Sequence, residues 1–365
     1  MNLDIAAPRA NQVPARLARL RQWVAMLFSS PLNTGLTVLF GGLLYFTLPP
    51  LMRWLVFDAV LFNSDPQACR DAGGACWSFV RLKSSQLLFG IYPNDERWRP
   101  ALSCVLIVGL LAWSVRPSSW KPTLAAIWIG TMAAIIWLMG GGLGMVHVPS
   151  TLWGGLPITL ILTVSAIGLG FPIGVVLALG RRSTMPGVRV LCVLFIESVR
   201  GLPLLSILFV ASIMLPLFLP EMLLPDKFSR ALVALTLFAS AYFAEVVRGG
   251  LQAMPKGQYE AANSLGLPYW RTQQLVILPQ AIRIVIPALA NTIIVMIKNT
   301  SLVMVVGLFD LISSGKAALA DPAWPSPSTE TFLFIGAIFF IICFSFARFA
   351  DFLERKGKSS GQENS

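Results

Sequence analysis

Residues 258–280 have the sequence QYEAANSLGLPYWRTQQLVILPQ, a polar stretch in a chain that is otherwise mostly apolar. Hydrophobic residues make up 56% of the 365 residues, and charged residues make up only 12%. This composition is too apolar for a soluble globular protein and indicates an integral membrane protein with several spans. A segment as polar as 258–280 is therefore expected outside the hydrocarbon core, at one membrane face.

The local chemistry of this stretch predicts two short helices separated by a bend. Residues 259–265 are good helix formers. Gly266 tolerates a positive φ angle and Pro268 follows it, a pattern that ends one helix and starts another. We expect the second helix over residues 269–278, ended by Pro279.

Small residues are concentrated on the first of these two helices. Ala261, Ala262, Ser264 and Gly266 are expected to leave one side of the helix nearly bare, so that the backbone of another protein could approach closely. These residue types suit a docking surface better than an active site.

The same stretch resembles the EAA loop of ABC importer permeases, in which Glu-Ala-Ala is followed at fixed spacing by Gly, Ile and Leu-Pro. The residues that match this spacing are Glu260, Ala261, Ala262, Gly266, Leu278 and Pro279. Val276 stands where Ile is usual. The resemblance implies a coupling helix that sits in a groove of a separate ATPase subunit. The alternative, an ordinary cytoplasmic loop with a chance Glu-Ala-Ala, is disfavoured by six matches in about twenty residues.

The apolar runs predict an all-α integral membrane protein with about eight transmembrane helices. The runs cover about 35–57, 100–115, 123–146, 156–180, 190–219, 230–249, 284–309 and 331–350. The resemblance implies that the last five form an ABC type I importer permease core, preceded by three extra helices. The predicted domains are a basic tail at 1–30, three additional helices at 31–150 with an external loop at about 58–99, a permease domain at 151–353 with its coupling loop at about 250–283, and a tail at 354–365.

The distribution of basic residues predicts the orientation of these helices. The tail before the first span carries Arg9, Arg16, Arg19 and Arg21, which favours a cytoplasmic N-terminus. With that orientation, most of the 28 Lys and Arg residues fall in cytoplasmic segments. Both termini and the Glu260 loop are then expected in the cytoplasm of a multi-pass protein of the bacterial inner membrane.

The net charge of +11 does not indicate a nucleic-acid partner, because the basic residues occur in short clusters between apolar runs. No His, Cys and carboxylate cluster has the spacing of metal ligands, so we expect no metal. Cys69 and Cys76 lie seven residues apart in a polar segment, CRDAGGAC, which the orientation places outside. Either a small disulfide or two free thiols fits this pattern.

Several ionisable residues lie within the apolar runs, where a charge at the helix centre costs about 2.5–3.5 kcal/mol and is expected to face a cavity or a partner. Lys298 is the clearest case, with Asn299 and Ser301 beside it. We interpret these polar groups as the lining of a substrate path or, alternatively, Lys298 as the partner of Glu197 or Glu245 in a structural ion pair. Both glutamates also have an arginine three residues later, which predicts intrahelical pairing.

The segment FIESVRGLPLL suggests a broken helix, since Gly201 and Pro203 follow its charged residues. Broken helices are tolerated at membrane depth where they line a cavity or are buried in protein. Arg200 and Glu245, with Lys298, Asn299 and Ser301, are therefore the predicted substrate path.

Three segments, FIESVRGLPLL, AYFAEVVRGGLQAMPKGQYEAANSLG and MIKNTSLVMVVGLFDL, are similar to permeases of the polar amino acid subfamily, which imports histidine, glutamine, arginine and opines. The similarity covers about residues 154–352. The long N-terminal extension resembles the M-type permease of general L-amino acid importers. This resemblance implies a heterodimer with a second homologous permease, a pair of ATPase subunits, a periplasmic amino-acid-binding protein, and contact with membrane lipid. The chain itself would be no enzyme and would bind no cofactor, because ATP and Mg would belong to the partner ATPase.

A competing interpretation is an ion-coupled secondary amino acid transporter in which Glu197, Glu245 and Lys298 relay protons. Transport by the chain alone, under an ion gradient and without an ATPase, would favour that class. A membrane scaffold without transport activity is a weaker alternative.

Overall fold

The computed structural model describes residues 22–63 and 65–362, together with their side chains other than those of residues 117 and 356–362. The predicted basic residues Arg9, Arg16, Arg19 and Arg21 lie outside the described residues. The chain divides into two compact units, Met1–Ser78 and Phe79–Ser365.

The described part of the chain is built almost entirely from helices. The α-helices are α1 (Pro31–Met52), α2 (Pro66–Asp71), α3 (Trp77–Leu82), α4 (Ser84–Phe89), α5 (Trp98–Ser114), α6 (Thr123–Gly140), α7 (Gly155–Arg181), α8 (Pro186–Gly201), α9 (Leu204–Phe209), α10 (Leu215–Phe218), α11 (Lys227–Ala253), α12 (Lys256–Ser264), α13 (Tyr269–Arg271), α14 (Leu278–Ile284), α15 (Ile286–Asn299), α16 (Leu311–Leu319) and α17 (Ser328–Gln362). Short π-helical turns cover Arg53–Phe57, Val210–Met214 and Thr272–Ile277, and a 3-10 segment, Thr300–Val306, extends α15. A two-residue strand, β1 (Phe309–Asp310), forms parallel bridges with Gly154 and Gly155.

The described part of the first unit consists of α1 and a compact segment that follows it. No residue of α1 is buried, as expected for an apolar helix that faces lipid around its circumference. After α1, the chain folds back so that the indole of Trp77 donates to Leu55 O (3.0 Å) and the backbone N–H of Val60 donates to Ala75 O (2.8 Å). A disulfide joins Cys69 to Cys76 in this segment (S–S 1.93 Å).

The second unit is organised around the pair α7 and α11, which form the most extensive helix contact in the chain. Their close approach depends on glycine. A Cβ atom at Gly174 would lie 2.7 Å from Phe243 Cβ and 2.9 Å from Ser240 O, so only glycine fits there without a shift. The main hydrophobic core surrounds this pair and includes Ile158, Leu162 and Phe238.

The segment between the first and second predicted spans is more ordered than a turn-rich loop. It contains the short helices α2, α3 and α4, and α4 packs against α7 and α16. Lys83 forms an ion pair with Asp321 (2.6 Å), and the Phe79 and Trp324 rings meet edge to face. Val80 and Leu87, from the apolar patches of this segment, are therefore buried within the second unit.

The predicted break in the fifth run is confirmed. α8 ends at Gly201, Leu202 is extended, and α9 begins after Pro203, so that the two halves are bent by 104°. Proline cannot donate the backbone hydrogen bond of a continuing helix and restrains the residue before it to extended conformations.

The all-α membrane fold is confirmed. Six helices in the described residues are long and apolar enough to span a membrane, and the bent pair α8 and α9–α10 makes a seventh candidate. The remaining predicted span corresponds to α5, whose 17 residues are fewer than the roughly 20 of a typical span. α17 is much longer than its predicted span and continues through residues predicted as a separate tail.

We predict that Gly174→Ala destabilises the protein, because the new methyl group would force α7 and α11 apart. Overpacking of this kind costs about 1–3 kcal/mol. Thermal unfolding of the purified protein in detergent measures the effect. Gly168→Ala is the matched control, since a Cβ there meets nothing within 4 Å on the same helix. Equal melting temperatures for the two variants would contradict the proposed close contact.

Candidate functional site

The predicted helix and bend around Gly266 are present. α12 begins at Lys256, three residues before the predicted start, and ends at Ser264. Gly266 has φ +69°, and its N–H donates to Asn263 O (2.9 Å), while the N–H of Leu267 donates to Ala262 O (3.1 Å). This is the Schellman arrangement, in which a left-handed residue satisfies the last carbonyls of a helix. The bend is therefore fixed by backbone chemistry.

The prediction that Pro279 ends the second helix is wrong. The helix starts at Tyr269, widens into a π-helical turn over Thr272–Ile277, and continues as α14 to Ile284. The wide turn directly before Pro279 leaves the proline in the first turn of α14, where a missing N–H costs nothing. The sequence contained no marker of this π-helical turn.

The residues matched to the EAA loop divide into outward-facing and inward-facing groups. Glu260, Ala261, Gly266 and Pro279 are exposed. Ala262 is buried, so the expectation that it belongs to a bare outward side is wrong. Successive residues of a helix point about 100° apart, and Ala261 and Ala262 therefore cannot share one narrow face.

Large apolar side chains surround the exposed residues of the bend. Leu265 is 78% exposed, Leu275 is 67% exposed and Trp270 is 63% exposed. These side chains belong to the polar segment that the sequence places at a membrane face. Together with the nearby glycine bend, they form a protruding surface with apolar anchors, which is typical of a site for protein contact.

A second hydrophobic cluster lies under this surface and connects it to the spanning helices. It brings together Ala178 of α7, Ile196 of α8 and Leu251 of α11 with Ile277 and Ala281 from the loop. Leu278, another residue of the predicted motif, packs against the same cluster. The loop therefore packs directly against three of the spanning helices.

Arg182, directly after α7, links the loop to the ends of two spanning helices, α7 and α11. Its Nη1 atom donates to Leu251 O (2.8 Å) at the end of α11 and to the Tyr259 hydroxyl (3.1 Å) on α12. Its guanidinium also lies over the Tyr259 ring, 5.7 Å from the centroid. An open cavity of about 440 Å³ next to this contact is lined by Arg182, Tyr259 and Glu260 among others.

Arg181, the residue before it, joins a network of charges on three spanning helices. Its Nη1 atom lies 2.7 Å from Glu197 Oε1 on α8 and 3.4 Å from Glu245 Oε2 on α11. Arg200 lies 3.7 Å from Glu245 and 4.0 Å from Glu197, and Arg248 forms a short ion pair with Glu245. The two predicted intrahelical pairs are present within this larger network.

The network carries an excess of one positive charge, since three guanidinium groups face two carboxylates. Arg200 also lies over the Tyr242 ring at 5.9 Å, directly before the break between α8 and α9. A cation beside a broken helix is suited to bind the carboxylate of a small molecule.

Lys298 does not join this network. Among the described residues, Glu197 and Glu245 pair with arginines, and no ion pair of Lys298 is present, so the alternative of a Lys298–glutamate pair is wrong. Lys298 is exposed at the end of α15, which packs mainly against α17. Asn299 ends α15, and Ser301 lies in the 3-10 segment, where its hydroxyl donates to Lys298 O (2.8 Å). The structure thus brings Arg200 and Glu245 together and leaves the other three predicted path residues on a separate helix.

Sequence reasoning missed Arg181, Arg182 and Tyr242. A signal was available, because Arg181 and Arg182 lie at the end of an apolar run, where a cation needs a partner. Glu197 and Glu245 are carboxylates within other apolar runs.

The match to known families agrees with this geometry. Residues 170–358 match the family described as "Binding-protein-dependent transport system inner membrane component". This range includes α11, the bend at Gly266 and the last spans. The chain belongs to this family. It is an inner membrane component of a transport system, and the resemblance to ABC importer permeases is confirmed.

Two relatives extend the similarity over almost the whole chain. The chain is 48% identical to the inner membrane amino-acid ABC transporter permease protein YhdY of Escherichia coli K12, over 93% of each protein. It is 36% identical to the glutamate/glutamine/aspartate/asparagine transport system permease protein BztC of Rhodobacter capsulatus, over 97% of each. A crystal structure described as an amino acid ABC transporter with histidines aligns with a TM-score of 0.49 and 34% identity, over 55% of this chain and 90% of that one. Neither YhdY nor BztC is described as an ion-coupled carrier, so nothing here supports that alternative.

We predict that Glu245→Gln lowers the stability of this permease by about 1–3 kcal/mol, because three arginines would share one carboxylate. Adding Arg248→Gln to this variant returns the net charge of the network from +2 to the original +1 and should recover part of the loss. Thermal unfolding in detergent measures both effects. Glu260→Gln, an exposed change of the same type, is the control and should shift stability by less than about 0.5 kcal/mol. If the double variant loses as much stability as Glu245→Gln and Arg248→Gln lose together when each is measured alone, the network is ruled out.

Proposed function

We propose that this chain is the permease subunit of an ATP-driven importer for L-amino acids, with its coupling loop around Gly266 docked on a separate ATPase. The observation that carries the proposal is the exposed bend between α12 and α13, whose base is tied by Arg182 to the ends of α7 and α11. Such an element transmits a displacement from outside the membrane to the spanning helices.

The proposed partners are a second homologous permease, a pair of ATPase subunits and a periplasmic amino-acid-binding protein. Support comes from the family description, which names binding-protein dependence, and from the printed names of YhdY and BztC, which name amino acids. ATP and Mg would bind the ATPase, and this chain would contribute neither a nucleotide site nor a catalytic group.

The proposed orientation places both termini and the Gly266 bend in the cytoplasm. The excess of Lys and Arg in those segments supports it. The Cys69–Cys76 disulfide also fits, because the orientation puts it on the oxidising side of the inner membrane.

Glu260, Ala261, Gly266 and Pro279 are proposed to contact the ATPase, since they are exposed around the bend. Ala262 and Leu278 would act from within, by setting the position of α12 on the cluster beneath it. The role of these two residues is thus to transmit movement and not to form the contact surface.

Arg200 and Glu245 are the proposed centre of the substrate path. An amino acid carries one carboxylate and one ammonium group, and the network offers a positive excess together with a glutamate. When the coupling loop moves, Arg181 would shift relative to Glu197 and Glu245 and so change the charge that faces the path. Lys298, Asn299 and Ser301 are proposed to line the path on α15.

We expect Gly266→Asp to uncouple ATP hydrolysis from uptake without unfolding the permease. A Cβ at Gly266 meets nothing within 4 Å, and Asp tolerates a positive φ, so the added carboxylate would affect a partner more than the chain itself. The assay is amino-acid uptake and ATP hydrolysis in proteoliposomes that contain the complete transporter. Uptake per ATP hydrolysed should fall severalfold, because hydrolysis would continue while the loop no longer follows the ATPase.

Gly266→Asn is the matched control for this experiment, because it has nearly the same shape and backbone preference without the charge. It should retain most of the coupling. Normal uptake by the Asp variant at normal expression would argue against docking at the bend.

A further inference from the structure

A polar cavity of about 590 Å³ lies in the second unit and is lined by none of the residues of the Gly266 bend or the charge network. Its polar lining includes Lys83, Ser85, Gln86, Asn94 and Arg97. None of the lining residues is acidic, so the cavity presents two cations and several neutral hydrogen-bonding groups. Its volume is in the range of small-molecule sites.

Arg97 is held in this cavity by neutral acceptors. Its Nη1 atom donates to Ser85 Oγ (2.9 Å), and its Nε atom makes a longer bond to Tyr92 O (3.4 Å). Over residues 22–63 and 65–355, Arg97 forms no ion pair, whereas Lys83 is paired with Asp321. Three of the five guanidinium N–H groups are left for a ligand.

Partial burial lowers the pKa of Arg97 from its ordinary value. This is the direction expected for a cation that loses water without gaining a neighbouring anion. A half-buried arginine in such surroundings is stabilised by any anion that enters the cavity.

The depth of Arg97 in the membrane indicates which anion is available. α5 begins at the next residue and has 17 residues, equal to about 25 Å, while the hydrocarbon core is about 30 Å thick. Val105 and Val108 on α5 are exposed, as expected for a lipid-facing helix. An α5 that spans the bilayer would place Arg97 at or below the level of the phospholipid phosphates.

The neighbouring Trp98 supports the same depth. It is half exposed in the first turn of α5, and its indole N–H donates to Glu96 (3.1 Å). Tryptophan with an apolar body and a satisfied polar tip is enriched at the membrane interface.

From these observations we propose that the Arg97 cavity binds a phosphate group, supplied by the headgroup of a membrane phospholipid. The remaining guanidinium N–H groups would donate to the phosphate oxygens, with Ser85 keeping the guanidinium oriented. Gln86 and Asn94 would bind the polar part of the headgroup. Free inorganic phosphate is the other source of the same chemistry. The site does not depend on the proposed transport activity.

The test compares retained phospholipid on the purified full-length chain by native mass spectrometry, during titration with dihexanoyl phosphatidylglycerol. Wild type should retain one more lipid than Arg97→Gln, and the variant should bind about tenfold more weakly. Arg81→Gln is the matched control, because it removes the same charge from an exposed position on the same segment outside the cavity. Equal retention by the two variants would overturn the proposal.

A second arm distinguishes the two sources of phosphate. Inorganic phosphate is titrated against the lipid-loaded protein. The lipid should stay bound even when the phosphate concentration is well above the lipid concentration. Displacement by inorganic phosphate at equal concentration would assign the cavity to the free anion and overturn the phospholipid assignment.

A third measurement needs no variant and so does not depend on the folding of Arg97→Gln. Wild-type protein is cross-linked with a phospholipid that carries a photoactivatable diazirine next to its phosphate, and the adducts are mapped by peptide sequencing. Adducts should concentrate in residues 82–97. Adducts spread along the lipid-facing helices, with none in this segment, would contradict the proposal.

Discussion

The structure depends on the need of charged groups near the hydrocarbon core to find partners. Arg181 and Arg182 lie at the end of α7, and an unpaired charge there would be costly. The two side chains find different partners. Arg181 pairs with Glu197 and Glu245 on the spanning helices, and Arg182 binds Leu251 and Tyr259 at the base of the coupling loop. One helix end therefore connects the loop with the charges beside the broken helix.

The parts on either side of this connection differ in packing. α7 and α11 are in backbone-close contact at Gly174. The chain between α8 and α9 is bent by 104°, and such non-helical backbone is tolerated at membrane depth where it lines a cavity or is buried in protein. In the proposed function, a displacement of the loop shifts this packed pair against the broken helix, where the excess positive charge lies. The arrangement matches the requirement for coupled transport, in which a distant event changes access to a polar site.

The sequence predicted those features that local chemistry determines. The Gly266 bend, the break at Gly201 and Pro203 and the intrahelical glutamate–arginine pairs each follow from residues within a few positions of one another. Features that depend on contacts between distant segments were missed. Tyr259 and Arg182 are far apart in sequence, so their contact was not visible, and Ala262 seemed available for docking until the packing of the loop placed it inside.

Pro279 and Lys298 show two further limits of the sequence argument. The π-helical turn before Pro279 overrode the usual helix-ending effect of proline, and no local signal marks such a turn. One of the two interpretations of Lys298 paired it with a glutamate, but the arginines of the neighbouring helices occupy both glutamates. Competition among several cations for a few carboxylates is decided by helix packing and not by the spacing along one helix.

The proposed function requires that the Gly266 bend lies on the cytoplasmic face and receives a partner there. Leu265, which is 78% exposed beside the bend, is replaced by cysteine in a protein whose three free cysteines, Cys104, Cys192 and Cys343, are serine. A membrane-impermeant maleimide should label Cys at 265 in inverted membrane vesicles and not in intact cells, and an added ATPase subunit should protect it. Labelling in intact cells would contradict the account.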